Sequence, residues 1–288
     1  MPADININKV AVVHLIWIPY GLSIFERFIA SYKKYPSDYQ HQLVLLFNGV
    51  VNQDATMPYH ELADREGLVY TSYYKKEGQD LEAYFWLAPQ LSEEFVLFLN
   101  SFSQLLAENW LSKYMQATVT SKKGVVCATG SNQSYYSSML YENSWTWSKG
   151  KSLETNFKKY KLLIKTILLY RVLFKPFPNP HVRTTAFLIN RQLFLSVRFT
   201  KPVNKFQAYL FESGRNGFTQ QLLKKNMSIH VIDRDGMLYS MSEWYRSKTF
   251  WRGKQENLLV SDNQTTIYEV ANESEKRRLT FKAWGVNE

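Results

Sequence analysis

Phe95-Val96-Leu97-Phe98-Leu99-Asn100-Ser101-Phe102-Ser103 is the stretch that decides how this chain folds. Five apolar residues, enough for a strand, stop abruptly at small polar ones, and Gln104–Leu111 then reads as a helix-like segment. In an α/β protein this pattern marks the carboxyl end of a strand buried on both faces. Ligands bind outside the sheet at such ends, so Asn100, Ser101 and Ser103 are the first candidates for a binding site.

Outward from that strand the chain alternates between the two element types. Lys9–Ile18 is nearly all apolar, as a doubly buried strand requires, and Pro19-Tyr20-Gly21 breaks it. Leu22–Tyr32 then places Leu22, Phe25, Phe28 and Ile29 on one helical face. Gln42–Phe47 is a second strand closed by the turn signal Asn48-Gly49, Leu68–Tyr70 a short third strand, and Asp80–Leu87 a helix ended near Pro89. Beyond Glu94–Leu99 come a helix over Ala107–Met115, a strand over Gly124–Ala128 and a polar loop over Thr129–Ser134. Strand and helix in alternation predict an α/β fold, with a mostly parallel central sheet flanked by helices and joined by right-handed crossovers.

The second half is less regular. Ser152–Phe174 is a long helical pattern ended by Pro176-Phe177-Pro178-Asn179-Pro180. Thr185–Asn190 reads as a strand, Gln207–Phe211 and Phe218–Lys225 as helices, and Ile229–Ile232 as a strand. Trp251–Glu288 is polar and aromatic and is expected to wrap the sheet. No repeat, low-complexity segment or linker divides the chain, so residues 1–288 read as a single domain.

A chain of 288 residues with 45% hydrophobic content can bury a sizeable core. No apolar run approaches the roughly 18–20 residues that span a bilayer. Met1–Asn8 lacks the charged-then-apolar pattern of an export signal, and the lone Cys127 excludes an internal disulfide and a multi-cysteine metal site. Together these point to a reducing cytoplasm, with Cys127 a buried structural thiol in its strand. A net charge of +10 favours an anionic partner, either a nucleotide diphosphate, a phospholipid surface or nucleic acid. The eight Trp and nineteen Tyr suit stacking on bases or sugar rings as well as filling a core. No zinc-finger, helix-turn-helix or RNA-binding pattern is present, so nucleic acid is not the expected partner. The absence of a Gly-x-x-x-x-Gly-Lys loop, a Gly-x-Ser-x-Gly elbow and any His/Cys cluster argues against NTPases, serine esterases and zinc hydrolases.

The strand end at Asn100 resembles that of inverting nucleotide-sugar glycosyltransferases of the GT-A (Rossmann-like) fold, family two, in which the strand closes with Asp-x-Asp. In that family the motif holds a metal on the donor diphosphate. Here Asn100 and Phe102 stand in those two places. A neutral amide and an aromatic ring are poor ligands for Mg²⁺ or Mn²⁺, which favour carboxylate oxygens, so no divalent metal or other cofactor is expected.

A second resemblance lies in Phe211-Glu212-Ser213-Gly214-Arg215-Asn216-Gly217-Phe218. The family carries a Glu-Asp pair that opens a helix and supplies the base for the acceptor hydroxyl. Glu212 matches the first member and Ser213 replaces the second, which makes Glu212 the expected general base. Carried over by position, His14, Trp17, Asn48 and Asp80 are donor-site candidates beside Asn100, Ser101 and Ser103.

Without a metal, cationic side chains must offset the charge that builds on a departing diphosphate. His181 and Arg183, ahead of the Thr185 strand, are one supply, and Arg252 and Lys254 another, in a flexible-looking aromatic segment able to order over a bound donor. Asp262, in the polar run Ser261–Thr265, suits sugar hydroxyls or a loop equally.

The resemblance therefore implies a glycosyltransferase acting with inversion on a glycan or lipid-linked acceptor, in surface polysaccharide biosynthesis. Residues 1–130 would be its nucleotide-sugar half, and 131–288 its acceptor half and tail. The alternative is a non-catalytic nucleotide- or sugar-binding module on the same fold, which the lost carboxylates would suit. Ser152–Lys175, where lysines flank a broad apolar stripe, has two readings: a helix that docks peripherally on the inner face of the membrane, or one that buries its stripe in the domain.

Overall fold

A computed structural model describes residues 9–120, 124–142 and 153–286. The strands are β1 (Val10–Trp17), β2 (Gln42–Asn48), β3 (Tyr70–Lys75), β4 (Phe95–Leu99), β5 (Gln104–Leu105), β6 (Val125–Cys127), β7 (Gly130–Ser131), β8 (His181–Val182), β9 (Ala186–Asn190), β10 (Ile229–Ile232), β11 (Leu238–Ser240) and β12 (Val260–Ser261). The helices are α1 (Leu22–Lys34), α2 (Met57–Arg65), α3 (Asp80–Leu87), α4 (Trp110–Thr120), α5 (Tyr135–Glu142), α6 (Leu153–Leu173), α7 (Arg191–Leu195), α8 (Lys205–Ser213), α9 (Phe218–Lys224), α10 (Asn263–Val270) and α11 (Glu273–Trp284).

Eight strands form one sheet in the order β11-β10-β6-β9-β4-β1-β2-β3. β1 runs parallel to both β2 and β4, β2 to β3, and β6 to β10. β9 is the exception at the centre, antiparallel to β4 on one side and β6 on the other. Its register pairs Leu99 with Ala186, which sets the residues just before β9 beside the carboxyl end of β4. Strands from both sides of residue 130 interleave in this sheet, so its two halves share one core.

Every residue from Val10 to Ile16 is buried, and the pleat sends alternate side chains into two cores. Ala11, Val13 and Leu15 belong to the core that includes residues of α3, α9 and α11, whereas Val10, Val12 and Ile16 belong to the core that includes residues of α1, α2 and α4. The result is three layers, helix–sheet–helix. Cys127 is fully buried on β6, and burial pushes its thiol well up.

Several sequence expectations shift. The third strand occupies Tyr70–Lys75, beyond the Leu68–Tyr70 read from sequence, because an edge strand tolerates the exposed Thr71 and half-buried Ser72. The helix expected from Ala107 begins at Trp110 and runs to Thr120. The tail does not simply wrap the sheet: β12 pairs with β5, and α10 and α11 bury Tyr268, Leu279, Ala283 and Trp284. α6 buries Ile167 and is followed by buried Phe174, but Phe157, Leu162, Ile164, Leu168, Leu169 and Val172 are exposed. Burial of the whole stripe is therefore not what the fold does. Among the described residues no helix is long and apolar enough to cross a membrane.

Candidate functional site

The carboxyl ends of β1, β2 and β4 open on one side of the sheet, where the start of β9 and the end of α8 join them. After β4 the chain turns tightly. Asn100 N–H donates to Thr185 O at 2.8 Å, and Asn100 Oδ1 accepts from Phe102 N–H and the Ser103 hydroxyl, both at 3.1 Å. Trp17 N–H donates to Ser101 Oγ at 3.1 Å. Asn100, Ser101 and Ser103, expected to meet a donor directly, are instead buried; Asn100 Oδ1 and the Ser103 hydroxyl hold the turn, and Ser101 Oγ ties it to the end of β1. What the turn displays is Phe102, whose ring lies 4.7 Å from that of half-exposed Tyr20. The two make an aromatic platform at the mouth.

At the end of β2, Asn48 is fully buried. Its Nδ2 donates to Gly78 O at 2.8 Å and its Oδ1 accepts from Gly49 N–H at 3.1 Å. Asn48 thus fixes the loop that delivers Asp80 to the start of α3. Gly49 has φ +78°, and a Cβ there would lie 3.0 Å from the Trp17 ring, so Trp17 closes over a residue that must be glycine. His14 is buried under the site, on the floor of a small crevice it shares with Tyr20 and Ser101. Its ring stacks on Phe28 with centroids 3.6 Å apart, and burial lowers its pKa to about 3. It is a neutral core residue.

Asp80 and Glu212 are the two carboxylates this arrangement brings into electrostatic reach. Asp80 keeps accessible surface, yet the surrounding protein desolvates it and the charge of Glu212 repels its ionised form. Together they push it up to about 6. Glu212 is half-buried. Burial raises its pKa, while a hydrogen bond from Thr184 Oγ1 and the nearby Arg183 charge oppose that rise.

Glu212 does not open a helix as the motif led us to expect. It lies in the last turn of α8, and α9 starts only at Phe218. Glycine sets this geometry: a Cβ on Gly214 would lie 2.3 Å from Leu210 O, and one on Gly217 2.4 Å from Phe211 O. The two helices can therefore meet at a bend that no larger residue fits.

Arg183 lies at the centre of the site. Its guanidinium carbon sits 4.2 Å over the Phe250 ring, and Nη2 is 3.7 Å from Asp262 Oδ2. Its Nε and Asp262 Oδ2 are buried without a hydrogen-bond partner. Buried polar atoms are nearly always partnered, so this cation retains unused donor capacity. Asp262 caps α10, with Oδ1 accepting from Thr265 N–H at 2.8 Å. Its role toward Arg183 is thus added to a structural one.

His181 is brought to the same place, but as a neutral ring. Burial, with Arg183 repulsion added, lowers its pKa to about 4, and Nδ1–H donates to Asn179 O at 2.9 Å. It cannot supply the positive charge expected of it.

The segment around Arg252 and Lys254, expected as a lid, is packed on the domain in this structure. Trp251 and Gln255 are buried, and Gln255 bonds Trp251 N–H and Thr265 O. Arg252 stacks 3.2 Å above the Tyr245 ring and donates to Tyr245 O, while Lys254 is exposed. The contribution of this segment is Phe250, which supports Arg183.

Four side chains at the site carried no sequence motif: Tyr20, Thr184, Tyr135 and Tyr209. The Tyr135 and Tyr209 rings stack with centroids 4.8 Å apart, and burial raises the Tyr135 pKa, with Tyr209 and Glu212 charges adding to it. The only signals available were position: Tyr209 precedes Glu212 by three on a helical face, and Thr184 follows Arg183.

The donor set at the β4 end does not suit a divalent metal. Asn100 Oδ1 is engaged by two internal donors and Phe102 offers no oxygen. Among the described residues no group of three or more His, Cys, Asp or Glu side chains is placed to hold a metal ion.

No protein-family model matches this chain, and no curated protein matches it. Solved structures do align with it, among them the following two. One is the mannosyltransferase PcManGT from Pyrobaculum calidifontis in complex with GDP-Man and Mn²⁺, at 12% identity over 67% of this chain and 49% of that one, with a TM-score of 0.39. The other is S. aureus TarS 1–349, at 12% identity over 95% of this chain and 70% of that one, with a TM-score of 0.44. The chain spans about half the length of the first. At this level of similarity neither assigns a role to any residue here.

Proposed function

We propose that this chain is an inverting glycosyltransferase that moves a sugar from a nucleotide-sugar donor to a hydroxyl of a glycan or lipid-linked acceptor, without a divalent metal. The observation that carries this reading is Glu212, a half-buried carboxylate with a raised pKa, set beside Asp80 and Arg183 at the ligand-binding end of an α/β sheet. The strand-end and Glu212 resemblances support the same reading.

In the reaction, an acceptor oxygen attacks the anomeric carbon as its proton passes to the Glu212 carboxylate. The bond from that carbon to the diphosphate oxygen breaks, and its electron pair leaves with the diphosphate. Arg183, with donor capacity in reserve, offsets the charge on the leaving group. Asp80 binds donor hydroxyls, and Tyr20 and Phe102 stack on a ring. Surface polysaccharide assembly on the cytoplasmic side of the membrane is the setting this proposal implies.

One observation favours a second reading, a non-catalytic nucleotide- or sugar-binding module: the side chain of Asn48, Asn100 Oδ1 and the Ser103 hydroxyl are engaged within the fold. Thermal shift across a panel of nucleotide sugars, followed by metal-free turnover of any stabilising one, separates the two. A ligand at about 100 times its Kd adds roughly 2.7 kcal/mol of stability. Stabilisation with transfer or hydrolysis supports the enzyme, and stabilisation without either supports the module. No stabilisation by any of them removes both.

A further inference from the structure

α6 leaves its outer face uncovered, and that face has a chemistry of its own. At about 100° per residue, Arg171, Ile164, Phe157, Leu168, Lys161, Val172, Lys165, Lys158, Leu169 and Leu162 succeed one another around half of the helix circumference. All ten are exposed, while Ile167 is turned inward and buried. From Phe157 to Leu173 the helix contains five basic residues and no acidic one. A water-facing helix normally mixes both signs and few large apolar groups, and contiguous exposed apolar area marks an interaction site.

A second, independent feature adjoins it. At the carboxyl end of α6 a cavity of about 910 Å³ opens between α6, α8 and α9. Its apolar wall includes Val172, Leu173, Leu210 and Phe211, and its cations are Arg198, Arg215, Lys224 and Lys225, with no acidic residue lining it. Arg215 also donates to Arg171 O through Nε and Nη2 at 3.3 and 3.2 Å, which ties the cavity rim to the end of α6. The cavity is separate from the site of Glu212: Phe211 lines it, whereas Glu212, one residue on, bonds Thr184.

We propose that the outer face of α6 and this cavity form one docking surface for an anionic phospholipid bilayer. The exposed Phe, Ile, Leu and Val side chains enter the interfacial region, the lysines meet anionic headgroups, and the cavity receives a headgroup phosphate among its four cations. Charge complementarity selects this occupant. An apolar partner helix or a second copy of this +10 chain would set these lysines against apolar or like-charged surface, whereas an anionic bilayer satisfies both the apolar and the basic residues. The surface stands independently of the transferase reading, since none of its residues belongs to the Glu212 site.

The test is flotation of the full chain with vesicles of neutral phosphatidylcholine and of phosphatidylcholine containing phosphatidylglycerol. Three variants accompany it: Lys161→Glu with Lys165→Glu on the helix, Leu162→Gln with Leu168→Gln on its apolar rows, and Arg198→Glu with Lys225→Glu at the cavity. All six positions are exposed or partly exposed, and unchanged thermal melts verify folding. The expected result is binding to the anionic vesicles alone, weakened by salt, by at least about tenfold in each variant, and not displaced by inorganic phosphate. Absence of flotation, equal binding to neutral vesicles, or binding unchanged in the variants overturns the proposal. So does displacement by inorganic phosphate, which would make the cavity a site for a soluble anion. A concentration-dependent dimer that the helix variants dissociate would overturn it too, because the face would then belong to a second copy.

Discussion

The charge of Glu212, at the end of α8, reaches Asp80, at the start of α3, and helps to push the Asp80 carboxyl up to about 6. The two residues are 132 positions apart by their numbers and belong to helices that share no sequence motif. Their coupling gives the site one carboxylate engaged by Thr184 and near Arg183, and one that resists ionisation. Burial raises both carboxyls, but only Glu212 has a hydrogen bond from Thr184 and the Arg183 charge to oppose that rise. The proposed roles, Glu212 as base and Asp80 as a substrate ligand, rest on this difference of surroundings.

The first consequence concerns turnover. Glu212→Gln preserves the size of the side chain and its bond with Thr184 but removes the proton acceptor. Turnover is expected to fall by about 10²–10⁴-fold, with donor affinity nearly unchanged by thermal shift. In the parent protein the rate is expected to rise with pH as Glu212 ionises, this limb being shifted upward by burial from that of an ordinary glutamate, and it should disappear in the variant. Turnover within about threefold of the parent would make Glu212 a structural residue.

Asp80 ties pH to stability. Its pKa is raised from 3.8 to about 6 on folding, so between those values the folded state binds more protons than the unfolded one. Stability contributed by this group is therefore highest in acid, falls as pH rises from about 4 to about 6, and stays reduced above that. Asp80→Asn removes the deficit. Its Tm should exceed that of the parent at about pH 8, and most of the gain should vanish near pH 4. A gain equal at both pH values would show that charge is not the cause.

Asp262 performs two tasks that two substitutions separate. Asp262→Asn keeps an oxygen for Thr265 N–H and loses the charge facing Arg183, whereas Asp262→Ala loses both. Denaturant unfolding should find the alanine variant less stable than the asparagine variant by about 1 kcal/mol, the usual worth of an N-cap. Equal stabilities would mean that the cap contributes nothing. Because Arg183 loses its anionic neighbour in both, both variants should also alter transfer in the proposed reaction.

Chelation tests the metal-free reading. Transfer should survive EDTA, since Asn100 Oδ1 is occupied by Phe102 N–H and the Ser103 hydroxyl. Loss of activity that Mn²⁺ restores would overturn it, and Asp80 and Asp262 would be the first ligands to replace.

The sequence by itself determined the central strands and where they stop. Val10–Ile16, Leu43–Phe47 and Phe95–Leu99 are apolar runs closed by turn residues, and a doubly buried strand needs nothing more than such a local run to be recognised. It also singled out Glu212, Asp80 and Arg183 as residue types suited to a sugar-nucleotide site.

Tertiary structure decided which of these meet and in what ionisation state. β9 enters the sheet antiparallel beside β4 through pairing between residues 87 or more positions apart, and only that register brings Arg183 and Thr184 beside Asn100. Burial, invisible in a local pattern, made His14 and His181 neutral and turned Asn48, Asn100 and Ser103 into parts of the fold. The same limit applies to α6, whose alternation of lysine and leucine reads alike for a helix packed inward or facing out. Which side faces the core depends on the helices and strands that cover it, and in this fold they cover one side only.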